Sequence, residues 1–243
     1  MMAIRSVLRT LLPCLLMFAA FPSQAEDVPE VYRAIYQIGI PKTKHLSFTA
    51  ALGLVRTPDL GQTSLQVVPG GLDYRIDDTW STQAYLLLNY DAFDTGQSAY
   101  EVRPVLGLTA KGSLDPATEV GFWVRYEARM YDVGQPDSRF QNRLRLQPYI
   151  DFTLGGALDG WHTKLEAEPR YVWGPGDDYI NGFRARVSVG YQISDTLSVD
   201  ARVSREWSRK SSAADLEPST DTFTVHLVQL LGQSKGHRPH HID

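Results

Sequence analysis

The residues of this 243-residue chain that could do chemistry are charged, and they recur at every second position. Between Val120 and Tyr131, Trp123, Arg125, Glu127, Arg129 and Tyr131 share one face of an extended segment, while Val120, Phe122, Val124, Tyr126, Ala128 and Met130 share the other. The same alternation collects Glu101 and Arg103, then Gln141, Arg143, Arg145, Gln147 and Asp151. Lys164, Glu166, Glu168 and Arg170 follow, then Arg184 and Arg186, then Asp200, Arg202 and Glu206. Guanidinium groups bind carboxylate or phosphate through paired hydrogen bonds, and rings of Arg and Lys suit anion pores. One reading of this face is a track for anionic solutes or oligosaccharides, contacted by Arg125, Arg129, Arg143, Arg145, Arg170, Arg184, Arg186 and Arg202. The other is that Glu127, Glu166, Glu168, Asp200 and Glu206 pair with those cations across neighbouring strands and fill the interior. Acidic residues are interleaved almost everywhere. Arg143, Arg145, Arg184 and Arg186 are the local exception, and they flank the strand of Lys164 and Arg170 if consecutive strands are neighbours.

An extended wall must position these residues. A soluble sheet would seldom place Arg and Glu along so much of every other face, whereas a barrel in lipid, apolar outside and polar inside, requires it. The expected fold is all-β: a single antiparallel transmembrane barrel of ten strands, alternatively twelve. The ten candidates are 46–56, 63–76, 80–93, 99–110, 118–131, 139–153, 161–173, 181–193, 197–209 and 221–231. Turn chemistry separates them, as at Asp77-Asp78, Asp94-Thr95-Gly96 and Gly174-Pro175-Gly176. Pro69-Gly70-Gly71 inside the second candidate predicts a bulge or break. An even count allows both termini on the periplasmic side, with the tight turns at 77–78 and 194–196 there and the long loop from Lys210 to Asp221 outside. Arg205 falls on the lipid face, tolerable only near a membrane edge. The barrel is expected over 45–231. Residues 26–44, bracketed by Pro29 and Pro41, form a separate piece: a short helix, a plug or periplasmic segment, or an extra strand. Residues 232–243 read as a disordered tail carrying His237, His240 and His241.

Residues 1–25 read as a secretory signal, with Arg5 and Arg9 before an apolar stretch and Ser23-Gln24-Ala25 before the cut. That stretch is shorter than the roughly 20 apolar residues of a membrane-spanning helix. Export to a bacterial outer membrane is the expected location, with its lipid as the surrounding partner. The only cysteine, Cys14, lies in the signal, so disulfides, thiolate metal sites and cysteine nucleophiles are excluded from the mature chain. Loss of Arg5 and Arg9 takes the formal charge from -4 to -6, which gives no support to nucleic-acid binding. An aromatic content of 11%, with twelve Tyr and five Trp, suits rings at a lipid interface. No metal spacing, phosphate loop or dinucleotide fingerprint appears, so no cofactor is expected.

One motif points towards an enzyme. His45-Leu46-Ser47 puts a histidine and a serine on the same face of the first strand, a spacing similar to the His-x-Ser of outer-membrane lipid A deacylases. A hydrolase would need the pair in hydrogen-bond reach, oriented by a carboxylate. The pair would sit at the periplasmic start of its strand, away from the outer rim where that chemistry belongs. His162 and His226 stand isolated from Ser and Asp in sequence and read as wall residues.

The segments Arg139-Phe140-Gln141-Asn142-Arg143-Leu144-Arg145-Leu146-Gln147-Pro148 and Asn181 to Tyr191 resemble strands of small proteobacterial outer-membrane barrels. Two groups are similar: uncharacterised barrels, and monomeric porins for acidic oligosaccharides of the oligogalacturonate type. The second resemblance implies Arg-lined passage of uronate chains. From these observations the expected function is a narrow channel or solute-binding barrel for anionic solutes. The alternatives are a closed structural or assembly barrel of the envelope and, distantly, a lipid hydrolase.

Overall fold

Wherever the sequence alternates with period two, the chain is extended, and the extended segments close on themselves. In the computed structural model, which describes residues 28–132, 139–174, 179–209 and 214–231, eleven strands form one barrel. They are β1 (Glu30–Pro41), β2 (Leu46–Thr57), β3 (Gln62–Arg75), β4 (Trp80–Phe93), β5 (Ser98–Asp115) and β6 (Thr118–Tyr131). The rest are β7 (Arg139–Thr153), β8 (Trp161–Trp173), β9 (Tyr179–Ser194), β10 (Leu197–Ser208) and β11 (Glu217–Leu230). The signal, Cys14 and the histidine-bearing tail lie outside the described residues.

The ten expected strands are present within a few residues of their expected bounds. The count is eleven rather than ten or twelve, because residues 30–41 form a wall strand instead of a helix or plug. The barrel is also mixed rather than wholly antiparallel. Consecutive strands pair antiparallel, but β1 runs parallel to β11, from Glu30 beside Asp221 to Gly39 beside Leu230. A parallel closing seam is what lets an odd number of strands close. Pro41 is tolerated because it is the final residue of β1, where a lost ladder bond costs little.

An odd count also separates the ends of the ladder, contrary to the expected placement of both at one side. β1 starts at the end where β2, β4, β6, β8 and β10 finish, and β11 finishes at the other. The tight links at 76–79, 116–117 and 195–196 lie at that second end, but so does the longer connection 154–160, so connection length does not sort cleanly between the two ends. The break at Pro69-Gly70 appears as register shifts on both sides of β3.

Burial is inverted relative to a water-soluble sandwich. Inward residues such as Gln37, Glu127 and His226 are fully buried, while outward Leu54, Leu106 and Val225 are each more than half exposed. A small apolar cluster of Val68, Tyr85, Leu87 and Val105 lies on the β3–β5 side of the interior, among buried polar residues such as Asp73, Gln83 and Asn89. On the outer face, rings pair near the end where β1 starts: Tyr32 with Phe223, Tyr90 with Tyr100, Tyr171 with Trp173, and Phe183 with Trp207. Trp80 with Phe122 and Trp161 with Tyr191 do the same near the other end. Leucine and valine occupy the band between them.

The parallel seam can be tested by cross-linking. Disulfides need Cα atoms about 4–7 Å apart, a separation that directly paired strands provide. In a Cys14→Ser background, Ala34→Cys with Val225→Cys, which are register partners on the outer face, should oxidise to an intramolecular cross-link. It would be read as a mobility shift on a non-reducing gel. Absence of the link in folded protein would mean that β1 does not close the barrel.

Candidate functional site

The alternation turns most charged residues of β5 to β10 inward, and many of them are buried. Arg125 is 1% exposed, Arg145 and Glu168 2%, and Arg170 4%. A buried charge is costly unless paired and hydrogen-bonded, and the pairing here is shared rather than one to one.

Glu101 accepts hydrogen bonds from Arg103 (2.8 and 2.7 Å) and Arg129 (2.6 and 3.1 Å). Glu127 stands opposite Arg143 in the β6–β7 register and accepts from it through Oε2. The same carboxylate pairs with Arg125 and Arg145, each at 3.0 Å, and with Arg103 at 3.8 Å. Glu168 takes Arg145 directly and lies 3.8 Å from Arg125 and from Arg184. Glu206 continues the chain to Arg170 (2.6 Å) and back to Arg184 (3.3 Å). Arg125 also lies over the Trp123 ring, 4.1 Å from its centroid, and donates to the Tyr85 hydroxyl. Two inward glycines make room: a Cβ on Gly107 would meet the Trp123 indole nitrogen at 2.7 Å, and one on Gly182 would run into the Arg170 guanidinium.

A second group lies lower on the wall. Glu166 pairs with Lys164 (2.8 Å) and Arg186 (3.1 Å) and accepts from the Gln147 amide (2.7 Å). Lys164 also lies over the Tyr149 ring. Below it, His162 Nε2 is 2.9 Å from Asp200 Oδ1, reaching across β9 over Gly190, where a Cβ would collide with both groups. His226 is register partner to Asp200 on the next strand.

The structure therefore brings Arg125, Arg129, Arg143, Arg145, Arg170 and Arg184 together with Glu127, Glu168 and Glu206 in one network. Arg186 and Glu166 stand in the second group, and Arg202 faces inward between Ser188 and Thr224. Glu101, Arg103 and Trp123, which alternation placed on the inward face, also belong to the network, and Tyr85 is a member that the charge pattern did not single out. His162 is not isolated from an Asp partner: the sequence separation of 38 residues is bridged because β9 presents glycine between them. Arg205 is on the outer face as expected, and a bidentate pair with Asp221 (2.7 and 2.5 Å) satisfies it. His45 lies at the strand edge with Nδ1 2.8 Å from the Arg75 carbonyl and its ring against Tyr74, while Ser47 is buried inside. Among the described residues no His, Cys, Asp and Glu grouping could hold a metal ion. Compared with protein-family models and with curated proteins, the sequence gives no match.

The network's cohesion predicts unequal mutational costs. Glu127→Gln removes the acceptor shared by four guanidinium groups, and breaking a buried pair costs about 3–5 kcal/mol. Asp94→Asn parts an exposed rim pair with Arg56 and should leave the unfolding midpoint unchanged within error. Denaturant unfolding of the folded protein in detergent measures both. Equal, small effects would contradict a buried network.

Proposed function

We propose that the chain is an outer-membrane barrel with a sealed interior, serving as a structural or assembly element of the cell envelope rather than as an open pore. The observation that carries this reading is the closed network of Arg125, Glu127, Arg145 and Glu168, each at most 2% exposed, across the middle of the barrel. Solute passage would have to break several ion pairs at once. The lipid environment is supported by the inverted burial, the aliphatic outer band and the ring pairs near both ends of the strands. The signal-like residues 1–25 support export to that membrane. If the barrel spans a bilayer, Glu30 and Leu230 lie on opposite sides of it, since the ladder begins at one end and finishes at the other. The number of arginines in the interior favours one rival, a narrow anion-conducting channel.

Two measurements test the proposal. Leu106 is 58% exposed on the outer face. Leu106→Arg should block stable insertion into liposomes, because arginine on a lipid face costs about 2–4 kcal/mol near the bilayer midplane. A barrel that lives in water would tolerate or welcome it. In planar bilayers, inserted wild-type protein should give no conductance steps. Stable anion-selective steps, weakened in Arg143→Ala/Arg184→Ala, would replace the sealed reading with the channel.

A further inference from the structure

The outer wall is not uniformly convex. A hollow of about 580 Å³ lies over the β1–β11 seam, a volume usual for ligand sites. Register explains its floor. Ala34 pairs with Val225, Val225 with Ala201, and Ala201 with Val189, so four short side chains form one outward row across β1, β11, β10 and β9. Larger groups border that row. Leu54 stands beside Ala34 on β2, and the stacked rings of Tyr32 and Phe223 occupy the next row along the strands. Leu54 and Val225 are each more than half exposed, so the hollow is apolar and open.

The lining changes character towards the end where β1 starts. Arg56, register partner of Tyr32, edges the hollow there. Its side chain is 40% exposed and that of its partner Asp94 67%, an ion pair that water already screens. Glu30 accepts a hydrogen bond from the Tyr32 hydroxyl, and its backbone N–H donates to Asp59 at 3.2 Å. A guanidinium and carboxylates therefore stand side by side at one end of an apolar floor.

We propose that this hollow is a binding site for one phospholipid with an ethanolamine head. An acyl chain lies over Ala34, Val225 and Ala201. The Arg56 guanidinium donates to the phosphate, and the ammonium faces the carboxylates of Glu30 and Asp59. A purely anionic head would bring its charge against those same carboxylates. A second copy of the chain fits less well, because a two-fold axis sets hollow against hollow. The lipid touches both β1 and β11, so it braces a seam whose parallel pairing is slightly less stable per residue than an antiparallel one. The proposal rests on the membrane setting of the proposed function and adds a lipid held at one place on the wall.

The test uses the full chain, folded in detergent and freed of lipid, then offered phosphatidylethanolamine, phosphatidylglycerol and lipid A in equal amounts. Native mass spectrometry counts the lipids retained, and thermal unfolding is read alongside. One phosphatidylethanolamine should stay bound and raise the melting midpoint. Arg56→Gln should weaken that binding roughly tenfold, as loss of one charge-assisted hydrogen bond would. Ala201→Phe fills the hollow and should abolish it, whereas Leu106→Ala, on the outer wall away from the hollow, should leave it unchanged. Arg56 is exposed, so its variant decides the matter if Ala201→Phe fails to fold. Equal retention of the three lipids, tighter retention of either anionic one, or a doubled protein mass lost in Ala201→Phe overturns the proposal. Because retention is measured in detergent, it stands apart from insertion. A chain that fails to enter liposomes removes the membrane reading, and one that enters them but retains lipids indiscriminately removes this proposal alone.

Discussion

The structure depends on the requirement that a closed barrel satisfy inward charges that its own wall buries. Glu127 and Glu168 meet it by sharing. Each carboxylate has two oxygens and several lone pairs, so one acid can anchor guanidinium groups arriving from three strands. Glu127 thereby ties β5, β6 and β7 together from the inside, and Glu168 carries the tie to β8 and β9. The backbone ladder closes the wall and the shared acids close the space within it.

Side-chain size is matched to this task around the barrel. On the β3–β5 side a small apolar cluster of Val68, Tyr85, Leu87 and Val105 packs among buried polar residues such as Ser64, Asp73, Gln83 and Asn89. On the β5–β10 side long charged chains need depth, which inward glycines provide. Trp123 crosses over Gly107, Arg170 over Gly182, and His162 over Gly190. Tyr85 joins the two sides, packed in the apolar cluster while its hydroxyl accepts from Arg125. The outer face solves the reverse problem, and where it carries charge, as at Arg205, the charge lies towards a strand end and is paired.

The wall was legible because period two is the strongest signal a strand emits, and each charged residue named in β5 to β10 faces the side that alternation assigns. β1 escaped because its inward face carries Ile35 and Gly39 among its polar residues, so its alternation is weak, and because Pro29 and Pro41 imitate a boundary. The parallel seam could not be read from any one strand, since it is a property of closure. Nor could the pairings. Direct register sets Arg125 against Arg145, a repulsive pair, and it is diagonal reach to Glu127 and Glu168 that rescues both. Register and side-chain length decide that jointly, and neither is written in the spacing of charges along one strand. The contact of His162 with Asp200 was hidden for a similar reason: its enabling residue, Gly190, is on neither of their strands.

The central claim is that the interior is closed to solutes, and the accessibility of an interior thiol tests it most directly. Ser188 faces inward, is 3% exposed, and sits between Lys164 and Arg202 in register. With Cys14→Ser to remove the one native thiol, a Ser188→Cys protein folded in detergent would be offered a small, negatively charged methanethiosulfonate reagent. The account predicts no modification on a timescale that labels the unfolded chain completely. Rapid modification of the folded barrel would contradict it.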